Sequence, residues 1–170
     1  MKILIVGGSG SGKSNFAEEL AVAQSNKKRV YIATMEPFGE EGEARISRHR
    51  EMRRERGFTT IERYTNLQSL ALPPCGCALL EDIGNLVANE VFVVGGDTEA
   101  VTERIVAGVI HLAAQCETLV VVSNDILREA GTFDSEMQSY LQVVGRVNRQ
   151  LAAKFDAVYE VAANVAERLR

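Results

Sequence analysis

The chain has no tryptophan and, among 170 residues, only three prolines and three cysteines. So few prolines leave room for long unbroken elements, because an interior proline breaks a helix or a central strand. The cysteines (Cys75, Cys77 and Cys116) are odd in number, and Cys75-Gly76-Cys77 has no second ligand pair nearby. That pattern argues against a disulfide framework or a zinc site. It fits reduced thiols, with Cys75 and Cys77 in a turn leading into a strand. No apolar run approaches the ~20 residues of a membrane span. Met1–Val6 is too short for a cleavable leader, so a cytoplasmic protein with no membrane contact is expected. Charge of one sign is not in excess either: 19 basic residues face 23 acidic ones, for a net charge of −4. Such a surface is no electrostatic sink for nucleic acid, and no nucleic-acid partner is expected.

The chain does contain apolar runs alternating with helical patterns. Strands are predicted at Lys2–Val6, Arg29–Ala33, Thr59–Arg63, Ala78–Glu81, Leu119–Ser123 and Ala157–Val161. Helices are predicted at Lys13–Gln24, Gly39–Arg56, Ile83–Phe92, Thr98–Cys116 and Ser135–Lys154. Runs such as Leu119-Val120-Val121-Val122 are apolar on both strand faces, which requires helices above and below. The expected fold is therefore α/β, a mostly parallel sheet in three α/β/α layers, with residues 1–170 as one domain. Ligands of such sheets bind beyond the carboxyl ends of the strands. That rule gathers Gly7–Ser14, Ala33–Met35, Glu81-Asp82 and Ser123–Asp125 into one crevice.

The segment Gly7-Gly8-Ser9-Gly10-Ser11-Gly12-Lys13-Ser14 carries the clearest chemistry. It fits the phosphate-cradle pattern G-x-x-x-x-G-K-[ST], between a strand and a helix as that pattern demands. Glycines let backbone N–H groups approach phosphate oxygens, and the helix N-terminus adds unpaired donors and partial positive charge. Lys13 would reach the terminal phosphates, and the Ser14 hydroxyl would ligate Mg²⁺. A P-loop NTPase fold that binds a nucleoside triphosphate follows. The metal also wants a carboxylate at a buried strand end. Leu79-Leu80-Glu81-Asp82 offers two, of which alternation lets one face the crevice; Glu81 is favoured, with Asp82 as the fallback.

A second unusual segment, Glu40–Arg56, interleaves Arg45, Arg48, Arg50, Arg53, Arg54 and Arg56 with five glutamates around His49. Neighbouring guanidiniums disfavour the imidazolium cation, and neutral imidazole is a nucleophile. His49 could thus attack a nucleotide α-phosphate, although a salt-bridged, solvated helix explains the same residues. His111, amid the apolar Val106–Ile110, reads as a packed or partly exposed helical histidine.

Taken together these fragments resemble one family, the bifunctional adenosylcobinamide kinase / adenosylcobinamide-phosphate guanylyltransferases of cobalamin biosynthesis. The resemblance rests on the cradle, Tyr31-Ile32-Ala33-Thr34, Arg45-Ile46-x-x-His49-x-x-x-Arg53 and Thr60-x-Glu62. It continues through Leu79-Leu80-Glu81, Asn89, Val122-Ser123-Asn124 and Gly145-Arg146-Val147-Asn148 with Leu151-Ala152. It implies a kinase that phosphorylates a corrinoid hydroxyl with ATP or GTP. It also implies a nucleotidyltransferase in which His49 takes GMP from GTP and passes it to the corrinoid phosphate. By the same resemblance Ala33, Thr34, Met35, Arg50, Glu51, Met52, Arg53, Glu62 and Glu81 belong to the nucleotide site, and the protein is a homo-oligomer.

Three departures stand out. Gly10 replaces a cradle arginine, Phe58 replaces a tryptophan, and Asn124–Gly131 replaces a Gly/Pro-rich loop where the second substrate should approach. Two other readings keep the cradle. One is a diverged kinase for another hydroxylated metabolite; the other is a nucleotide-binding module without turnover.

Overall fold

Strands form at Lys2–Gly7 (β1), Arg29–Ala33 (β2), Phe58–Glu62 (β3), Cys75–Glu81 (β4), Cys116–Asn124 (β5), Ala157–Ala162 (β6) and Val165–Arg168 (β7). The helices are Lys13–Gln24 (α1), Ile83–Asn89 (α2), Thr98–Ala113 (α3) and Ser135–Lys154 (α4). These come from a computed structural model that describes residues 1–24, 27–36, 51, 53–125 and 134–170. Most of the predicted Gly39–Arg56 helix, including His49, lies outside the described residues.

The strands make one sheet in the order β3-β2-β4-β5-β1-β6-β7, parallel except for the β6–β7 hairpin. Each face of the sheet carries its own core. On one side α1 sets Ala17 and Ala21 against Ile3, Ile5, Leu79, Val120 and Val122. On the other, α2, α3 and α4 bury Leu86, Val109, Val144 and Leu151 against Leu4, Leu80, Leu119 and Val121. Continuous Val/Leu runs are thus consumed on both faces, as a parallel sheet requires. Aspartates start the three helices of the second layer: the Asp82, Asp97 and Asp134 carboxylates accept backbone N–H bonds in the first turns of α2, α3 and α4.

The structure corrects four boundary expectations. β4 begins at Cys75 rather than Ala78, because Cys75 and Cys77 join the parallel ladder opposite Cys116 and Thr118. The Cys-Gly-Cys segment is therefore strand, not a turn. For the same reason the helix predicted to Cys116 ends at Ala113. The helix predicted to Phe92 stops at Asn89, and a π-helical turn, Glu90–Val94, follows. Its closing bond runs from Gly95 N–H to Glu90 C=O (2.9 Å), while the Glu90 carboxylate is drawn inward onto Arg104 (3.1 Å). Lastly, β7 was not foreseen. It is an exposed edge strand with no apolar run, joined to β6 by Ala163 and Asn164, both in left-handed conformations (φ 50° and 62°).

All three cysteines are free, as expected, and burial pushes the Cys77 thiol up to about 12 and the Cys116 thiol to about 11. His111 sits near the end of α3 with Nε2 3.1 Å from the Leu70 carbonyl. Among the described residues no helix is long and apolar enough to cross a membrane.

Candidate active site

The chain leaves β1 at Gly7 and turns through residues 8–12 into α1. Gly10 (φ 68°) and Gly12 (φ 91°) take conformations that L side chains rarely adopt. Three contacts clamp this loop. Asp125 N–H donates to Gly7 C=O (3.0 Å), and Asn164 N–H, from the β6–β7 turn, donates to Ser11 C=O (2.8 Å). Inside the loop Ser11 N–H reaches Gly8 C=O at 3.3 Å. Lys13 is buried, and its Nζ donates back across the loop to Gly8 C=O (3.2 Å). A side chain on Gly7 would lie 2.6 Å from Ser11 Oγ, so the Ser11 hydroxyl is turned beneath the loop. A side chain on Gly8 would meet nothing within 4 Å, which leaves open space above the loop. A glycine loop with positive φ at two positions and open space at Gly8, running into a helix N-terminus beside a lysine, is suited to phosphate oxygens.

The predicted crevice residues come together beside this loop. Gly7 pairs in register with Asn124, and Glu62, Ala33 and Glu81 lie in one row across β3, β2 and β4. That row shares the sheet face covered by α1. Glu81 Oε2 accepts from the Tyr31 hydroxyl at 2.6 Å, and the Arg53 guanidinium stacks over the Tyr31 ring at 3.9 Å. Tyr31 is buried, and desolvation together with the Glu81 charge raises its pKa, so the phenol keeps its proton and donates. Glu18 on α1 joins the same charge cluster. Burial raises its carboxyl, while Arg56, at 2.7 Å, pulls it back down.

Asp82 behaves differently. Its Oδ1 accepts from Asn85 N–H (2.6 Å) and its Oδ2 from Asn124 Nδ2 (3.2 Å), so it caps α2 and ties β4 to β5. Thr34 is fully buried. Its Oγ1 bonds both the N–H and the C=O of Asp82 (2.8 Å each), and its own N–H reaches Glu81 C=O. Asn89 Nδ2 donates to the carbonyls of Thr34 (2.9 Å) and Tyr64 (3.0 Å), which explains an asparagine there. Glu62 accepts from the Tyr64 hydroxyl (3.0 Å) and, with Arg54 and Phe58, lines a cavity of about 530 Å³ along β3. The two late motifs also meet: Ser123 Oγ bonds Asn148 Oδ1 (2.6 Å), and Asn148 Nδ2 reaches Asn124 C=O (3.3 Å). Met35 follows Thr34 at the mouth of the crevice, half-buried, and Glu51 is exposed. His49, Arg50, Met52 and most of the Asn124–Gly131 loop lie outside the described residues.

Sequence reasoning missed Tyr31 as the partner of Glu81, and Asn164 as a clamp on the loop. The alternation Tyr31–Ala33 on β2 was legible, but its register with Glu81 was not. For Asn164 the sequence carries no comparable signal, since Ala163-Asn164 lacks the glycine that marks a two-residue hairpin and Val165–Arg168 has no apolar run.

Among the described residues no cluster of three or more His, Cys, Asp or Glu side chains is placed to hold a metal by itself. One hydroxyl (Ser14) and one strand-end carboxylate (Glu81) suit Mg²⁺, which takes a few protein oxygens and completes its shell with water and substrate phosphates.

Comparison with known proteins extends the picture. The model of the family described as cobinamide kinase / cobinamide phosphate guanyltransferase matches residues 3–169. The chain is 32% identical to the bifunctional adenosylcobalamin biosynthesis protein CobU of Escherichia coli, with all of both chains covered. It is 31% identical to the protein of the same name from Salmonella typhimurium, again over both full lengths. Among solved structures, the flagellar accessory protein FlaH of Methanocaldococcus jannaschii aligns with TM-score 0.55 at 12% identity, over 99% of this chain and 77% of that one. At such an identity the likeness carries the fold alone, a mostly parallel sheet flanked by helices.

Proposed function

The chain belongs to the cobinamide kinase / cobinamide phosphate guanyltransferase family, and we propose that its single phosphate cradle serves both reactions, guanylyl transfer passing through a guanylylated His49. The kinase and guanylyltransferase activities in cobalamin biosynthesis follow from the family. The residue roles are our reading. What carries it is an intact cradle, Gly7–Ser14 with Lys13 folded into it, in a chain whose family match runs from residue 3 to 169.

The amides of residues 8–13 and the Lys13 ammonium hold the triphosphate, and the α1 N-terminus adds its dipole. Ser14 and Glu81 are the residues that would hold Mg²⁺, whose chemistry is to neutralise phosphate charge. Ala33, Thr34 and Met35 form the crevice floor beside the nucleotide, and Glu51, Arg53 and Glu62 flank it; Arg50 and Met52 belong to the same set. In guanylyltransfer His49 forms an N–P bond to the α-phosphate of GTP as the bond to the leaving pyrophosphate breaks. The corrinoid phosphate then attacks the same phosphorus, and His49 leaves. In the kinase reaction the corrinoid hydroxyl attacks the γ-phosphate of ATP or GTP, releasing the diphosphate and a proton. Rate comes from positioning and charge neutralisation. The acceptor is adenosylcobinamide, and the enzyme works as a cytoplasmic homo-oligomer.

Intact-mass analysis after incubation with Mg·GTP tests this reading. Wild type should gain the mass of GMP, acid-labile, and His49→Ala should not. A wild type that binds GTP yet gains no mass would remove the covalent route.

A further inference from the structure

Two acids end β4, and the metal takes one of them. Helix capping accounts for only half of the other. A cap needs a single acceptor, and Asp82 Oδ1 fills that role by accepting from Asn85 N–H (2.6 Å). The second oxygen, Oδ2, accepts from Asn124 Nδ2 (3.2 Å) at the end of β5. Asn124 is itself held in place. Its carbonyl accepts from Asn148 Nδ2 (3.3 Å), and Asn148 Oδ1 accepts from the Ser123 hydroxyl (2.6 Å). From β2, Thr34 Oγ1 bonds both the N–H and the C=O of Asp82 (2.8 Å each). Gly84 leaves room for these groups to meet: a Cβ there would lie 2.6 Å from Asn124 Nδ2 and 3.3 Å from Asp82 Oδ1. Three neighbouring elements thus fix one carboxylate, more than a helix cap requires.

The fixed carboxylate stands next to the cradle. Asn124 is the partner of Gly7 in the β1–β5 ladder, and Asp125 N–H donates to Gly7 C=O (3.0 Å). One side chain therefore separates Asp82 from the strand end where the phosphate loop begins. Asp82 is half-buried, and among the described residues no lysine or arginine is ion-paired with it. A carboxylate has about four acceptor positions, and the two bonds above leave others open. An unpaired negative charge beside a phosphate site repels the ligand unless it faces a metal ion or a donor. Ser14 and Glu81 already suit the metal, which leaves a hydroxyl.

We propose that Asp82, held by Asn124, orients the acceptor hydroxyl in the kinase reaction. The proposal rests on the kinase reading above and names a catalytic residue for it, with Asn124 as its positioning residue. The carboxylate accepts the hydrogen bond of the corrinoid hydroxyl and so turns a lone pair of that oxygen toward the γ-phosphorus. The new O–P bond forms as the bond from the γ-phosphorus to the β–γ bridging oxygen breaks; the nucleoside diphosphate leaves, and the hydroxyl proton passes to water. Phosphoryl transfer asks the protein for an aligned nucleophile more than for covalent chemistry. Guanylylation of His49 has no hydroxyl nucleophile, so Asp82 serves one of the two reactions and not the other.

The test is Asp82→Asn, which keeps an oxygen for the Asn85 N–H and removes the charge; asparagine and aspartate cap helices about equally well. Kinase assays with cobinamide and ATP are run beside GMP labelling from GTP, a Mg²⁺ titration and calorimetry. The expected result is a kinase kcat lowered about 100-fold, with ATP KM, GMP labelling, Mg²⁺ requirement and Tm near those of wild type. A kinase kcat close to wild type overturns the proposal. So does a joint loss of kinase and labelling with a raised Mg²⁺ requirement, which would make Asp82 a metal ligand. If Asp82→Asn lowers Tm, Asn124→Ala decides, because it leaves the cap untouched: a kinase kcat that falls while labelling persists supports the proposal, and an unchanged kcat overturns it. A wild type that phosphorylates no cobinamide refutes the kinase reading itself, a result distinct from a working kinase indifferent to Asp82.

Discussion

Three glycines of the cradle face different physical demands, and alanine substitution separates them. Gly8 has no positive φ and open space at its Cβ position. Gly10 has φ 68° and open space, and Gly12 has φ 91° with the Asn164 side chain in the way, its Cγ 3.0 Å from the added methyl. A left-handed conformation costs an L residue about 1–2 kcal/mol. Overpacking a tight site costs about 1–3 kcal/mol more. In a chain of this size each kcal/mol moves Tm by roughly 2–4 °C. Gly10→Ala should therefore lower Tm by about 2–8 °C, and Gly12→Ala by about 4–20 °C. Gly8→Ala should leave Tm unchanged or raise it slightly, because alanine restricts the unfolded chain. Its methyl occupies the space where phosphate must approach, so triphosphate affinity should fall steeply. Asn164→Gly supplies the internal control, since it removes the obstructing amide. In that background the excess cost of Gly12→Ala over Gly10→Ala should largely vanish. Calorimetry without nucleotide, paired with equilibrium binding of GTP, reads both quantities. The reasoning fails if Gly8→Ala destabilises as much as Gly12→Ala, or if Asn164→Gly leaves the excess intact.

Tyr31→Phe removes the hydroxyl that holds Glu81 while keeping the ring under Arg53. The Mg²⁺ concentration for half-maximal activity should rise severalfold with little loss of Tm; a Mg²⁺ titration that overlays wild type would exclude Glu81 from the metal site or Tyr31 from its support. Arg104→Ala strands the buried Glu90 carboxylate and should cost about 3 kcal/mol in urea unfolding. A change below about 1 kcal/mol would show that water reaches Glu90 freely. The buried thiols give a pH dependence. Cys77 and Cys116 titrate higher folded than unfolded, so the unfolded chain gives up its thiol protons first as pH rises. Their contribution to stability is complete below an ordinary thiol pKa of about 8.5 and is lost progressively toward pH 12. Native iodoacetamide labelling at pH 8 should accordingly be slow at the buried Cys77 and slowed at the half-buried Cys116, and a free-thiol rate at Cys77 would contradict its burial.

How much of this was legible in the sequence depended on the range of the signal. The cradle is local: strand, glycines, lysine and helix start follow within a dozen residues, and each is recognisable from its own chemistry. The β1, β2, β5 and β6 cores carry continuous apolar runs and were placed to within a few residues. β4 was shortened because Cys75-Gly76-Cys77 has little strand character by itself, and its pairing with Cys116 is a contact over some forty residues. The π-turn was hidden for a similar reason. Glu90 looks like one more helical surface residue until Arg104 and Asn66 are brought to it. Tyr31 stands in the sequence only as one residue of the β2 run, and the register of β2 with β4 is what shows its hydroxyl beneath Glu81.

The adjacent carboxylates Glu81 and Asp82 illustrate how two neighbouring strand-end residues can serve opposite layers of one sheet. Glu81 follows Leu79 onto the α1 face, where Tyr31, Arg53 and Glu18 surround it and where the row through Ala33 and Glu62 ends. Asp82 begins the helix of the opposite layer and looks toward Asn124, with its charge felt by Tyr140. A swap of the two residues would not be conservative, because each position feeds a different core. With the cradle at the end of β1, the groups around Glu81 stand on the α1 side of the sheet and those around Asp82 and Asn124 on the α2–α4 side. On the function proposed above, one cradle serves two successive transfers that differ in which phosphorus is attacked and by what, while the triphosphate stays where the glycines hold it.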